Sequence, residues 1–178
     1  MHILSWLAVN GTAAIVEFPG VLYRGGAERK IRRYLIDNNY VDTVIQLPLD
    51  LFFGTTIATC VIVLKKSKKD NQVLFIDASA RFVHVGNKNK LSPDDQSAIL
   101  DAFIARVDSP HFASLVENEQ IAENGYNIAV SSYVERENTT EAVDIAALDA
   151  EITRTVLRQQ ELRTAIDSLV SDIEGAAR

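Results

Sequence analysis

The run Leu47-Pro-Leu-Asp-Leu-Phe-Phe-Gly-Thr-Thr-Ile-Ala-Thr-Cys-Val-Ile-Val-Leu-Lys-Lys66 sets the reading of the whole chain. Two strand-like runs, Val41–Leu47 and Ala58–Lys65, flank a loop that holds two adjacent phenylalanines, a glycine and two threonines, with a third threonine, Thr59, just inside the second run. The second run is rich in β-branched residues and ends in lysines, which suits a strand covered on both faces. Phe52 and Phe53 have two readings. On a loop between two such strands they can grip a planar ligand; they can equally close one end of the core, where apolar residues mostly go.

Upstream, residues 1–10 read as the end of an amphipathic helix stopped at Asn10-Gly11, and Thr12–Phe18 as a buried strand ending at Pro19-Gly20. Val21–Gly26 reads as a loop and Ala27–Asn38 as a helix. Ile31, Leu35 and Ile36 form the inner face of that helix, while Arg29, Lys30, Arg32 and Arg33 face mostly outward. Strand, loop, helix, strand is a βαβ unit, so the Thr12 and Val41 strands are expected parallel with a right-handed crossover. Ala58–Lys65 follows without a helix and is expected to return antiparallel near one sheet edge.

Downstream, Ser67–Gln72 is a polar turn, Val73–Ala78 a strand and Gly86–Lys90 a polar loop. Ser92 caps a helix with Pro93 at its first position, and Ala98, Ile99, Ala102 and Phe103 line its inner side. Residues 108–134 read as irregular, with a turn at Asn124–Asn127. Composition shifts at Glu135–Thr140, beyond which proline and aromatics vanish. There Ile145, Leu148, Ile152, Leu162, Ile166, Leu169 and Ile173 alternate by three and four, with Thr155 and Gln159 in the two central slots. That is a heptad seam, expected to form a coiled-coil-like helix that needs a partner for its apolar stripe.

Apolar residues make up 47% and charged residues 24% of the chain, as in an ordinary globular protein. A formal net charge of -6 supplies no general field for nucleic acid, so any such role needs a local patch or a partner subunit. Arg24 beside Gly25-Gly26, and Lys65 and Lys66 in a short basic run, are the candidates for contact with DNA or a partner subunit. The bland alternatives are glycines that free a tight turn, and lysines that keep a sheet edge solvated. Cys60, the single cysteine, sits in an apolar run and reads as a buried, inert thiol. His2, His84 and His111 have no ligand spacing, so no metal is expected. No apolar run is long enough to span a bilayer and no secretory signal is evident, so a cytoplasmic protein without membrane contact is expected.

Gly11-Thr-Ala-Ala-Ile-Val-Glu-Phe-Pro-Gly-Val-Leu-Tyr-Arg-Gly-Gly-Ala-Glu28, the Leu47–Lys66 block and Ile121–Tyr133 together carry a resemblance. They resemble the methylation (modification) subunit of type I restriction-modification systems, an adenine-specific DNA methyltransferase. The resemblance covers most of residues 3–134 and matches only the later part of such a subunit. It implies an α/β fold: a partial Rossmann-like methyltransferase sheet, mixed through one antiparallel strand, then the helical tail. Residues 1–134 would be the C-terminal half of the catalytic domain, 135–140 a linker and 141–178 a subunit-interaction tail. It implies specificity and restriction subunits as partners, DNA reached through that complex, and tail helices packed on the specificity subunit. By the same resemblance, Phe53 takes the position of the aromatic that packs against the flipped adenine, with Phe52 second.

An enzyme of this kind needs a glycine-rich loop for S-adenosylmethionine, an Asn-Pro-Pro motif for the adenine amine and an aromatic platform for the flipped base. The chain has no Gly-x-Gly, and Pro19, Pro48, Pro93 and Pro110 are never adjacent. Both missing motifs are expected upstream of Met1. S-adenosylmethionine is therefore the cofactor of the full-length family but is not expected to bind this chain alone, which is not expected to methylate by itself. No catalytic residue is assigned. The alternative is a non-catalytic interaction module acting through the heptad helix, with a homodimer of the chain also open.

Overall fold

The computed structural model describes residues 2–136 and 145–176, with side chains to residue 170. The chain divides into two compact units, Met1–Glu137 and Asn138–Arg178. The linker expected at 135–140 lies largely outside the described residues.

In the first unit the order is α1 (His2–Trp6), β1 (Thr12–Glu17), α2 (Gly20–Tyr23), α3 (Ala27–Asp37), β2 (Val41–Gln46), β3 (Cys60–Lys65) and β4 (Gln72–Asp77). Then come β5 (Val83–Val85), β6 (Lys88–Lys90), α4 (Pro93–Ala105), β7 (Ala113–Glu117), α5 (Asn118–Glu123) and a short 3-10 turn at Val130–Ser132. Five strands form one mixed sheet in the order β1-β3-β2-β4-β7; β5 and β6 pair separately. β3 runs antiparallel to both neighbours, and only β2 and β4 are an adjacent parallel pair. β1 and β2 thus point the same way, as expected, but are not neighbours: the returning β3 is inserted between them.

The sheet buries alternate side chains on two faces, the period-2 pattern of a strand. Val73 and Phe75 of β4 join Leu22, Ile36 and Ile121 on one face, under α2, α3 and α5. Leu74 and Ile76 point to the other face, where Ile99, Ala102 and Phe103 of α4 pack. α4 begins as the sequence predicts: the Ser92 hydroxyl accepts from Asp95 N, the Asp95 carboxylate accepts from Ser92 N, and Pro93 opens the first turn.

Five expectations are corrected. β1 is not buried; it is a sheet edge, and Val16 and Phe18 lie half exposed. The Val21–Gly26 loop contains a helical turn, because Pro19 fixes a helical φ and Leu22 drives it inward to full burial. Gly86–Lys90 is part of a hairpin, and residues 108–134 contain β7 and α5. On α3, Ile31 is exposed while Arg32, expected outside, is only 4% exposed. Its guanidinium donates to three main-chain carbonyls, of Val21, Arg24 and Tyr126.

At the sheet edge where β2 begins, Lys68 is buried and donates to the Val41 and Gln72 carbonyls at 2.8 and 2.6 Å. Burial lowers its pKa from the usual 10.5 to about 8, although Asp70 and Asp42 pull the other way. Cys60 is pushed up from 9.0 to about 11, by burial and then by the charge of Glu17. Above pH 8 the folded chain holds fewer protons than the unfolded one at Lys68, so stability rises with pH. Above pH 9 the folded chain holds more at Cys60, which opposes that rise. Unfolding free energy is expected to climb by up to about 1 kcal/mol between pH 8 and 9 and then flatten. Urea titrations across this range check it, and the climb disappears in Lys68→Met.

Among the described residues the second unit is one helix, α6 (Ile145–Ala176). Ile145, Leu148, Ile152, Leu162, Ile166 and Leu169 all lie on it with exposed side chains, as do Val156, Leu157 and Val170 outside the seam. Ile173 is within the helix. No helix among the described residues is long and apolar enough to cross a membrane.

Candidate functional site

β2 ends at Gln46, and Pro48, which has no amide to donate, prevents the ladder from continuing. The chain then leaves the sheet as the loop 47–59. Two positions in it need left-handed backbone: Asp50 at φ +55 and Gly54 at φ +77. Aspartate tolerates this conformation and glycine has no Cβ to resist it. The base of the loop is closed by Leu47 N donating to Thr59 O at 2.9 Å and by Gln46 Nε2 donating to the same oxygen at 3.1 Å. Higher up, Asp50 N donates to Thr56 O at 3.3 Å.

The loop lifts the two phenylalanines by different amounts. Phe52 is 40% exposed and partly packed, while Phe53 is 97% exposed. Phe53 therefore contributes almost nothing to the core, which removes the core-closing reading for that residue. What remains is a rigidly based loop that presents a bare aromatic face at the edge where parallel strands β2 and β4 both end. In open α/β sheets that edge is where ligands sit.

A second element supports the loop. β5 and β6 form a two-residue hairpin turning at Gly86-Asn87, with Gly86 at φ +62 in the first turn position that favours glycine. Lys88 Nζ pairs with Asp50 Oδ1 and lies 3.4 Å from Thr55 O. Asn89 N donates to Asp50 O at 3.1 Å and Asn89 Nδ2 to Leu49 O at 2.8 Å. Lys88 and Asn89 were missed because Gly86–Lys90 reads as merely polar. The signal that could have found them was Gly86-Asn87 between the alternating runs Val83–Val85 and Lys88–Lys90.

The other polar residues at the strand ends divide between the two ends of the sheet. Arg24 follows α2, exposed, at the edge where β1 ends, and its side chain lies across Gly20. Lys65 and Lys66 lie at the other end of the sheet, because β3 runs against β2. Lys65 lines a cavity of about 510 Å³ with Asp42, Lys68 and Arg106, and Lys66 Nζ donates to Leu7 O at 2.6 Å. Asp77, at the end of β4, is buried, accepts from Ser79 N and pairs with Arg136 at 3.2 Å. Among the described residues no group of histidine, cysteine or carboxylate side chains is arranged to hold a metal ion.

A mixed sheet in which the reversed β3 is inserted between the like-directed β1 and β2 agrees with the Rossmann-like methyltransferase sheet that the resemblance implies. Comparison with known proteins makes this specific. Residues 1–142 match the family model described as N-6 DNA Methylase. The chain is 45% identical over 175 residues to the type I restriction enzyme MpnII methylase subunit of Mycoplasma pneumoniae, covering 98% of this chain and 32% of that subunit. It is 31% identical over 170 residues to the MjaVII methylase subunit of Methanocaldococcus jannaschii, covering 92% of this chain and 29% of the relative. Among solved structures it is similar to the type I restriction-modification system methyltransferase subunit from Streptococcus thermophilus. There the TM-score is 0.69 with 44% identity, over 70% of this chain and 27% of that one. The chain belongs to the N-6 DNA methylase family, and it spans about a third of the length of the curated relatives it matches.

Proposed function

We propose that this chain is the later part of a type I DNA adenine methyltransferase subunit. In this reading it supplies the aromatic face for the target adenine and, through α6, the contact to a DNA-specificity subunit. The observation that carries the reading is Phe53, 97% exposed on a loop pinned at its base and along its side. An adenine swung out of the duplex loses its stacking neighbours, and an aromatic ring held in place returns part of that energy. The net charge of -6 gives this chain no general field for DNA, so attraction to DNA falls to other parts of the complex. Phe52, partly packed, supports the loop beneath Phe53.

S-adenosylmethionine would supply the methyl group, but the residues described here do not fit it. The turn after β1 is closed on itself, with Leu22 buried and Arg24 across Gly20, where an added Cβ would meet Nε at 2.8 Å. The cofactor cradle and the Asn-Pro-Pro acceptor are assigned to another part of the longer subunit, together with the restriction subunit contact. α6 contributes an exposed apolar row, Ile145, Leu148 and Ile152 then Leu162, Ile166 and Leu169, that a helical partner would cover.

The test is co-expression of the longer methylase with its specificity partner. The complex should transfer methyl groups to adenine N6 in duplex DNA. Ile152→Asp combined with Ile166→Asp should abolish co-elution of the partner and lower methylation more than tenfold, while unfolding of the isolated chain stays unchanged. Retained co-elution would remove α6 from the interface; no transfer by the wild-type complex would overturn the methyltransferase reading.

A further inference from the structure

The β5–β6 hairpin enters the reading above only as a support of the aromatic loop, yet its polar residues converge on that loop closely enough to carry more. Lys88 and Asn89 together reach three residues of that loop. Asn89 grips it from both its main chain and its side chain, at Asp50 O and Leu49 O. Lys88 grips Asp50 Oδ1 and approaches Thr55 O, so one ammonium bridges the two limbs of the loop on either side of Phe52-Phe53-Gly54. Asp50 also bonds across the loop to Thr56. The hairpin therefore touches the loop on both sides of its tip and leaves the tip itself free.

A solvent-exposed hairpin need not be built this way. Val83, His84 and Val85 are exposed, so the hairpin gains little from apolar burial of its own outer strand. Asn89 by contrast is 9% exposed, and its Oδ1 has no hydrogen-bond partner among the described residues. Burying an amide with one acceptor unpaired is unfavourable, and a leucine or valine there would avoid that cost. What asparagine provides is a donor at 2.8 Å from Leu49 O, three residues before Phe52. The groups facing this contact are Asp50, Lys88 and the carbonyls of Leu49 and Thr55.

We propose that Lys88 and Asn89 are positioning residues for adenine capture: they fix the height and direction of Phe53 before the base arrives. This rests on the stacking reading of Phe53. A loop held in the stacking conformation loses little freedom when the base docks; a free loop must be ordered at that moment, so the penalty falls on the step after DNA is bound. Lys88 and Asn89 touch no substrate and act through Phe53 alone.

The experiment is a double-mutant cycle in the longer methylase, assembled with its specificity partner, using Lys88→Met, Asn89→Ala and Phe53→Ala singly and paired. Lys88 is a third exposed and its substitution tests the idea even where Asn89→Ala proves unstable. Lys88→Met and Asn89→Ala should each lower kcat roughly 5- to 20-fold with KM for DNA within about twofold, and Lys88→Arg should restore most of the rate. On the Phe53→Ala background neither change should slow the enzyme further. If Phe53→Ala is impaired but the hairpin variants match wild type, or if their losses multiply with that of Phe53→Ala, the positioning proposal is overturned and stacking stands. If Phe53→Ala is itself fully active, the stacking reading fails, and the proposal with it.

Discussion

Replacing Phe53 by alanine should lower kcat/KM of the assembled methylase for duplex DNA by roughly 5- to 150-fold, the equivalent of the ~1–3 kcal/mol that stacking a base on an aromatic provides. The same substitution should leave stability almost untouched, because a ring that is 97% exposed has almost no buried surface to lose. The two readouts together carry the argument. A core phenylalanine cut to alanine costs about 3–5 kcal/mol of stability, so an unstable Phe53→Ala would mean that the ring is covered in the folded protein. Unchanged stability with unchanged rate would mean that the exposed ring does no work on DNA. Phe53→Trp should keep most of the activity, since any flat π-face can stack, while Phe53→Leu should behave like alanine. Phe52→Ala should show the opposite balance, with a measurable loss of stability from its packed half and a smaller loss of rate. Thermal unfolding of each variant beside a methyl-transfer assay on one duplex is sufficient.

How much of this was legible in the sequence depends on how local each cause is. β2, β3 and β4 are dense runs of β-branched and apolar residues, and their assignment follows from residues within the run. α4 announces itself through Ser92, Pro93 and Asp95, all within one turn. The aromatic loop was legible as a loop because Pro48 and Gly54 are local breakers, but its exposure was not: composition places phenylalanine in a core, and only the tertiary path of loop 47–59 lifts Phe53 clear. β1 illustrates the reverse error. Thr12–Phe18 has the composition of a buried strand, yet among the strands of this chain, which spans about a third of its relatives' length, it is the outermost, and sheet position is not encoded in a strand's own residues. β7 and the 86–90 hairpin were missed for another reason. Ala-Ser-Leu-Val-Glu is too short and mixed to stand out, and becomes a strand because β4 offers it a free edge. The charged side chains were hardest. Lys66, Lys68 and Arg32 look like solvated cations in sequence, and each instead reaches a main-chain carbonyl supplied by a distant segment.

Arg32 is the extreme of that group, and its replacement is expected to cost as much stability as the loss of a buried core side chain. Arg32 Nε donates to Tyr126 O at 2.7 Å, Nη1 to Val21 O at 2.8 Å and Nη2 to Arg24 O at 2.8 Å. These carbonyls belong to two segments, the turn after β1 and the stretch after α5. Arg29 of α3 also reaches the second, at Gly125 O, but among the described α3 side chains Arg32 alone donates to both. Between the same segments Ile128 N donates to Leu22 O at 3.0 Å, so the guanidinium and one main-chain bond close a single junction. Burial lowers the Arg32 pKa and the charge of Glu28 only partly offsets it, which means the cation is held by dipoles rather than by a salt bridge. Arginine fits because its planar fork carries donors in three directions at once; a lysine ammonium is a single point that cannot reach all three oxygens. Arg32→Met should therefore deprive three part-buried acceptors of their donor and bury an unmatched site, lowering unfolding free energy by roughly 3 kcal/mol, at ~1 kcal/mol for each lost partner. Arg32→Lys should recover only part of that. Arg33→Met, one residue along, removes a largely exposed pair with Asp37 at 3.3 Å and should cost less than about 0.5 kcal/mol. Urea unfolding of the three variants decides between the two views of this helix. If Arg32→Met and Arg33→Met unfold alike, α3 carries ordinary surface cations; if they differ by the expected margin, the turn that carries Arg24 owes its position to Arg32.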